Sequence, residues 1–188
     1  MATSAESIGR LAPAPEHSER HAGIDRLFHW LTALTVLTLM ATGLLPHLGV
    51  RFDWVGVHWI AGLALVALTI FHLVRALLWQ RLRTIWFSAT DFGSHGASKY
   101  SLAQKLMHHA MGLMVLAAVC TGLLMLKKIA TPFLTRDPYL LGADTWGVVY
   151  VIHGLAAIVA VTLVIIHVYF ALIPENRRYL IAMIRGRM

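Results

Sequence analysis

The chain has 188 residues, of which 58% are hydrophobic and only 13% charged, a composition typical of membrane proteins and a length that fits one domain. Its formal net charge of +7 would point to nucleic acid in a soluble protein. In so apolar a chain the placement of the basic residues matters more than their sum, and nucleic acid is not expected as a partner. One cysteine, Cys120, lies inside an apolar run and excludes both a disulfide framework and a C-x-x-C-H motif.

Residues 1–24 carry Pro13, Pro15 and scattered charges with no apolar period, the pattern of a disordered tail. Four apolar runs follow: Leu27 to Leu45, closed by Pro46, then Val55 to Leu78, Leu102 to Leu126 and Val148 to Ile173. About 20 residues at 1.5 Å rise each suffice to cross a bilayer. The first run is too long for a signal-peptide core and lacks a small-residue cleavage site, so it reads as an uncleaved span. Residues 25–173 are therefore expected to form an all-α membrane protein, a bundle of four transmembrane helices. In residues 174–188, Leu180, Ile181, Met183 and Ile184 lie among arginines. That stretch reads either as an amphipathic helix along the inner surface or as a frayed, solvated end.

Basic residues set the orientation. The N-terminal tail, the second loop and the C-terminus together hold Arg10, Arg20, Arg26, Arg75, Arg81, Arg83, Lys99, Lys105, Arg177, Arg178, Arg185 and Arg187, against Arg51, Lys127, Lys128 and Arg136 in the other two loops. Lys and Arg favour the cytoplasm, which places both termini there, in a multi-pass protein of the bacterial inner (plasma) membrane.

The fourth run contains only two residues that could carry charge, His153 and His167. Fourteen residues separate them, so they lie roughly 21 Å apart along the axis and nearly on one face. Ionisable groups at membrane depth are costly, and a neutral imidazole bound to metal escapes that cost. Two of them near opposite leaflets suggest two haems stacked inside the bundle, each held by this helix and a neighbour. Without a C-x-x-C-H motif such haems are b-type. Hydrogen bonds to other helices, or a proton relay in a transporter, would also account for the pair.

An internal repeat supports the metal reading. His58 and His72 reproduce the fourteen-residue spacing in the second run, and His29 and His108 each precede a Thr-Gly-Leu-Leu step, at Thr42 and Thr121, by thirteen. Depth pairs His58 with His153 at the outer level, each followed by small residues (Ala61, Gly62, Gly154, Ala156) that would admit a flat macrocycle. The inner level is crowded by His29, His72, His108, His109 and His167. Repeat symmetry favours His72 with His167, and spacing alone does not choose between His72 and His29.

The segment Arg26-Leu27-Phe28-His29-Trp30 resembles the R-x-x-H-W that opens the first helix of the formate dehydrogenase gamma subunit, a membrane cytochrome b. His58 to Gly62 is similar to that family's His-x-x-x-Gly; Tyr100, Gln104 and Lys105 match its Tyr and Gln-Lys before the third helix; His167-Val168-Tyr169 matches its closing His-x-Tyr. The similarity covers about residues 24–188, and bacterial cytochrome b561 proteins share the layout of four histidines. The resemblance implies two haem b groups, with His58 and His153 as outer ligands and His29 and His167 as inner ones. His72 departs from the family pattern and stays the alternative inner ligand. It further implies a quinone (menaquinone or ubiquinone) near the inner haem, with His29, Ser101 and Gln104 as polar contacts, and Arg26 and Arg75 near the inner propionates. Ser101 as a helix cap and the two arginines as positive-inside anchors are the plainer alternatives.

These features lead to the expectation of a di-haem membrane anchor that passes electrons between a dehydrogenase partner, with its iron-sulfur and catalytic subunits, and the quinone pool. Whether the chain itself counts as an enzyme then depends on where quinone is reduced. The alternative is a stand-alone cytochrome b561-like oxidoreductase that takes electrons from a small reductant such as superoxide.

Overall fold

The structure, a computed structural model, describes residues 23–78, 86–87 and 101–186. Four long helices carry it: α1 (Gly23–Leu44), α2 (Trp54–Leu78), α3 (Leu102–Met125) and α4 (Ala143–Leu172), followed by a short α5 (Arg177–Arg185). All four long helices have the length and apolarity to cross a membrane. Most of the tail expected over residues 1–24 lies outside the described residues, and its last two, Gly23 and Ile24, already belong to α1. Helix α4 begins five residues before the apolar run does. Its start at Gly142, with Asp144 in the first turn, puts negative charge against the helix N-terminus, where the backbone dipole favours it.

Helices α1 and α2 pack as one antiparallel hairpin and α3 and α4 as another, with slighter contact between α2 and α3. The bundle thus has a terminal end, at Gly23 and Gly186, and a hairpin end, at the α1–α2 and α3–α4 connections. The first connection is tight. Pro46 opens a 3-10 turn over Leu45–Leu48, and Gly49 closes it at φ +86, a left-handed conformation that glycine adopts without steric cost. The second connection is tied down by Arg136 Nε donating to the Lys128 carbonyl at 3.0 Å and Trp146 Nε1 donating to the Pro138 carbonyl at 2.9 Å. The Lys128 ammonium sits 4.8 Å over the Trp146 ring, which is almost fully buried.

Outward faces are strongly apolar: Leu34, Leu77 and Ile165 are each more than 60% exposed. In water each such leucine would leave about 1.5–3 kcal/mol of burial unrealised; in a bilayer lipid supplies it. Several hydroxyls within the helices are satisfied locally: Thr35, Thr69 and Thr162 each donate to the carbonyl four residues back.

The C-terminal stretch is helical. After a turn at Pro174–Asn176, α5 docks against α1: Trp30 Nε1 donates to the Met183 carbonyl and Arg26 Nη1 to the Ile184 carbonyl, and Ala182 is fully buried. Gly186 ends α5 at φ +82, pressed so closely on the Arg26 guanidinium that an added Cβ would fall 2.5 Å from Nη1.

Candidate functional site

The up-down topology sorts the histidines between the two ends. At the hairpin end, His58 near the start of α2 and His153 near the start of α4 face each other with ring centres 6.3 Å apart. At the terminal end, His29 of α1 and His167 of α4 face each other at 6.2 Å. An iron held axially by two imidazoles, with metal–nitrogen bonds of about 2.0 Å and ring nitrogens about 1.15 Å from the ring centre, sets those centres about 6.3 Å apart. Both spacings suit a shared iron. They exceed the roughly 5.2 Å that a direct N–H···N hydrogen bond of normal length would impose.

The hairpin-end pair has a second feature that suits a metal ligand, the tautomer. Thr42 Oγ1 lies 2.8 Å from His58 Nδ1 and 2.7 Å from the Thr38 carbonyl. A hydroxyl has one proton, and a carbonyl can only accept, so that proton goes to Thr38; toward the imidazole the threonine oxygen accepts. Nδ1 of His58 therefore carries the hydrogen, which leaves Nε2 with a bare lone pair. Thr121 repeats the arrangement, with Oγ1 2.9 Å from His153 Nδ1 and 2.6 Å from the Ala117 carbonyl. Metal-bound histidines characteristically donate their other ring N–H in this way, which fixes orientation and raises basicity. Both threonines are buried, Thr42 at 4% and Thr121 at 7% exposure, so water does not compete.

The residues after these threonines seat the rings. A Cβ on Gly43 would meet His58 Cε1 at 3.6 Å, and one on Gly122 would meet His153 Cε1 at 3.4 Å. The Thr-Gly-Leu-Leu step repeated in the sequence is thus a cradle: its threonine orients an imidazole on the partner helix and its glycine makes room for it. The repeat was visible in the sequence, but its partner was not, because the contact runs between helices 16 residues apart in one hairpin and 32 in the other. Gly62 and Gly154, by contrast, stand in open space, and Ala156 is buried in packing.

At the terminal end His72 does not face His167, as repeat symmetry would have it. It faces His108 of α3, at 5.9 Å. His109 Nδ1 lies 2.8 Å from the Lys105 carbonyl, and His47 Nδ1 lies 2.9 Å from the Gly43 carbonyl, so both are engaged within their own helical turns. Ser101 and Gln104 form a capping box: the Ser101 hydroxyl accepts from the Gln104 backbone N–H and Gln104 Oε1 accepts from the Ser101 N–H. That cap contributes about 1 kcal/mol to the start of α3 and leaves Gln104 Nε2 for other work. Arg75 pairs with Asp25 of α1, and Arg26 reaches the end of α5. Tyr100 lies outside the described residues.

No curated protein matches the sequence. The model of the prokaryotic cytochrome b561 family matches residues 20–186, a span that takes in all four long helices and both facing histidine pairs. Four apolar helices, imidazoles paired at iron-bridging distance and this match lead to one conclusion: the chain belongs to the prokaryotic cytochrome b561 family, multi-pass membrane proteins that bind haem b and carry electrons.

Proposed function

We propose that this chain is a di-haem cytochrome b that passes electrons across the bacterial inner membrane, as the membrane anchor linking a respiratory dehydrogenase, of the type that the formate dehydrogenase resemblance implies, to the quinone pool. The observation that carries the reading is the pair of imidazole couples, 6.3 and 6.2 Å between ring centres, at opposite ends of one bundle. His58 and His153 hold one haem and His29 and His167 the other. Bound there, haem b would supply a one-electron carrier, and holding it by two imidazoles would favour electron transfer over oxygen binding.

Helix α4 supplies a ligand to each level, so its rigidity fixes their separation at roughly 21 Å along the axis. Thr42 and Thr121 hold the outer imidazoles in the ligating tautomer. The Asp25–Arg75 pair and the Arg26–α5 contact close the terminal end, where Arg26 and Arg75 bring positive charge suited to haem propionates and the Gln104 amide is among the polar groups available to a quinone. The excess of Lys and Arg on the terminal side favours both termini in the cytoplasm. Moving one electron inward against an inside-negative potential then costs about 2.3 kcal/mol per 100 mV, which a low-potential donor at the outer face offsets.

Affinity purification from the native membrane tests the reading: an anchor brings iron-sulfur and catalytic subunits with it. The family match equally favours a second reading, a stand-alone oxidoreductase passing electrons from a small reductant to quinone. Recovery of the chain alone, holding two haems and reducing quinone, selects that one. A chain without a b-type reduced-minus-oxidised spectrum refutes both.

A further inference from the structure

The terminal end holds more imidazole than a haem there uses. His72 and His108 face each other across the α2–α3 boundary with ring centres 5.9 Å apart, and among the described residues neither ring has a hydrogen-bond partner on the protein. His58, His153, His109 and His47 each have one. Ring nitrogens at membrane depth are costly to leave unmet, so such a pair is suited to something that arrives.

The surroundings define what fits. Phe28 stacks on His72 at 5.2 Å and 13°. Beyond His108, its neighbour His109 is flanked by Phe87 at 5.0 Å and Trp86 at 5.9 Å. The Phe28 ring against His72 suits a flat, apolar partner. Both imidazoles can donate, and a single carbonyl oxygen about 2.9 Å from one nitrogen of each satisfies them together at this spacing. Because α2 and α3 touch only slightly, a lipid-soluble molecule can reach the pair from between them. Phe28 also joins His72 to His29, its own chain neighbour, so the ligand lies close to the inner electron carrier.

We propose that His72 and His108 are catalytic residues of the quinone site, binding one carbonyl oxygen and delivering its proton; this rests on the quinone-reducing reading above. The two electrons would come one at a time from a haem b held by His29 and His167 at the terminal end. The quinone is reduced to quinol as both C=O double bonds become C–OH. The near oxygen takes its proton from a protonated imidazole of the pair, the far oxygen takes one from cytoplasmic water, and the imidazole recovers its own from the same side. The charged and titratable groups beside the pair are Asp25 and Arg75 next to His72, and His109 next to His108, with Lys105 one turn away.

The test uses the full-length, haem-loaded protein, reduced with dithionite and mixed in a stopped-flow cell with decylubiquinone or with ferricyanide. In His72→Phe and His108→Phe haem per chain should stay at the wild-type value. Reoxidation by decylubiquinone should slow by about a hundredfold, the contribution typical of a positioned proton donor. Reoxidation by ferricyanide, which takes no proton, should be unchanged. His72→Gln, with a hydrogen-bond donor but no titratable proton, should keep the half-saturating decylubiquinone concentration near wild type and remain slow, and it replaces the phenylalanine variant if that fails to fold. Wild-type decylubiquinone rates in the variants, or loss of a haem from either, overturn the proposal. If decylubiquinone cannot reoxidise even the wild-type protein, it is the quinone-reducing reading that falls.

Discussion

Replacing Thr42 or Thr121 by valine keeps the side-chain shape and removes one oxygen. In each case that oxygen accepts the Nδ1–H of a proposed outer ligand, at 2.8 Å for His58 and 2.9 Å for His153. Loss of such a supporting contact typically weakens metal binding 10–100-fold, or about 1.4–2.8 kcal/mol. The sign for redox follows from the same bond. An imidazole whose N–H is accepted is the more basic, and a more basic ligand favours ferric over ferrous iron. Valine therefore raises the outer haem potential, by about 59 mV for each tenfold loss confined to the ferric form. Redox titration reads the potential, and haem transfer to excess apomyoglobin reads retention. Thr35→Val is the control, since Thr35 donates to the Leu31 carbonyl in the same way as Thr42 does to Thr38 but, among the described residues, makes no hydrogen bond to a histidine. Should both valine variants hold their haem and potential as the control does, the tautomer argument is wrong.

Further outcomes follow from the same geometry. Alanine at His58 or His153 removes one haem and leaves the other's spectrum intact; alanine at His29 or His167 removes the other; alanine at His72 removes neither, as haem-to-chain ratios will show. Gly122→Val pushes branched carbons against His153 Cε1, which already lies at 3.4 Å from an ideal Cβ, and costs the outer haem, whereas Gly43→Ala, at 3.6 Å, retains it. At Gly186, alanine meets both the positive φ and the Arg26 guanidinium. A penalty of about 1–2 kcal/mol for the backbone alone is expected to undock α5, seen as faster amide exchange from Ala182 to Gly186.

Much of this architecture was legible in the sequence because membrane physics leaves few choices. Apolar runs of spanning length become helices, and the fourteen-residue spacing puts His153 and His167 on one face whatever surrounds them. Pairing was harder to read. His58 with His153 followed from depth, since little else ionisable lies at that level. At the crowded terminal end depth does not discriminate, and symmetry between the hairpins pointed to His72 with His167. In the structure His72 faces His108 of α3 and His29 faces His167; that His29 and His167 share a haem is the reading that the resemblance to the formate dehydrogenase gamma subunit implies and that is proposed here. The roles of Thr42 and Thr121 were hidden for a related reason. A hydroxyl in a membrane helix can satisfy itself on its own backbone, as Thr35 and Thr162 do, and only the three-dimensional contact separates a threonine that also orients a ligand. Ser101 and Gln104 show the helix cap that is visible in their own four residues, and the quinone contact expected of Ser101 rests on the resemblance alone.

Haem content per chain tests the central claim most directly. The pyridine haemochrome of the purified protein, set against its protein concentration, should give two b-type haems per chain, both low-spin by electron paramagnetic resonance as two axial imidazoles require. A single haem, or a high-spin signal from an iron with an open axial position, would contradict the assignment of paired imidazoles at both ends of the bundle.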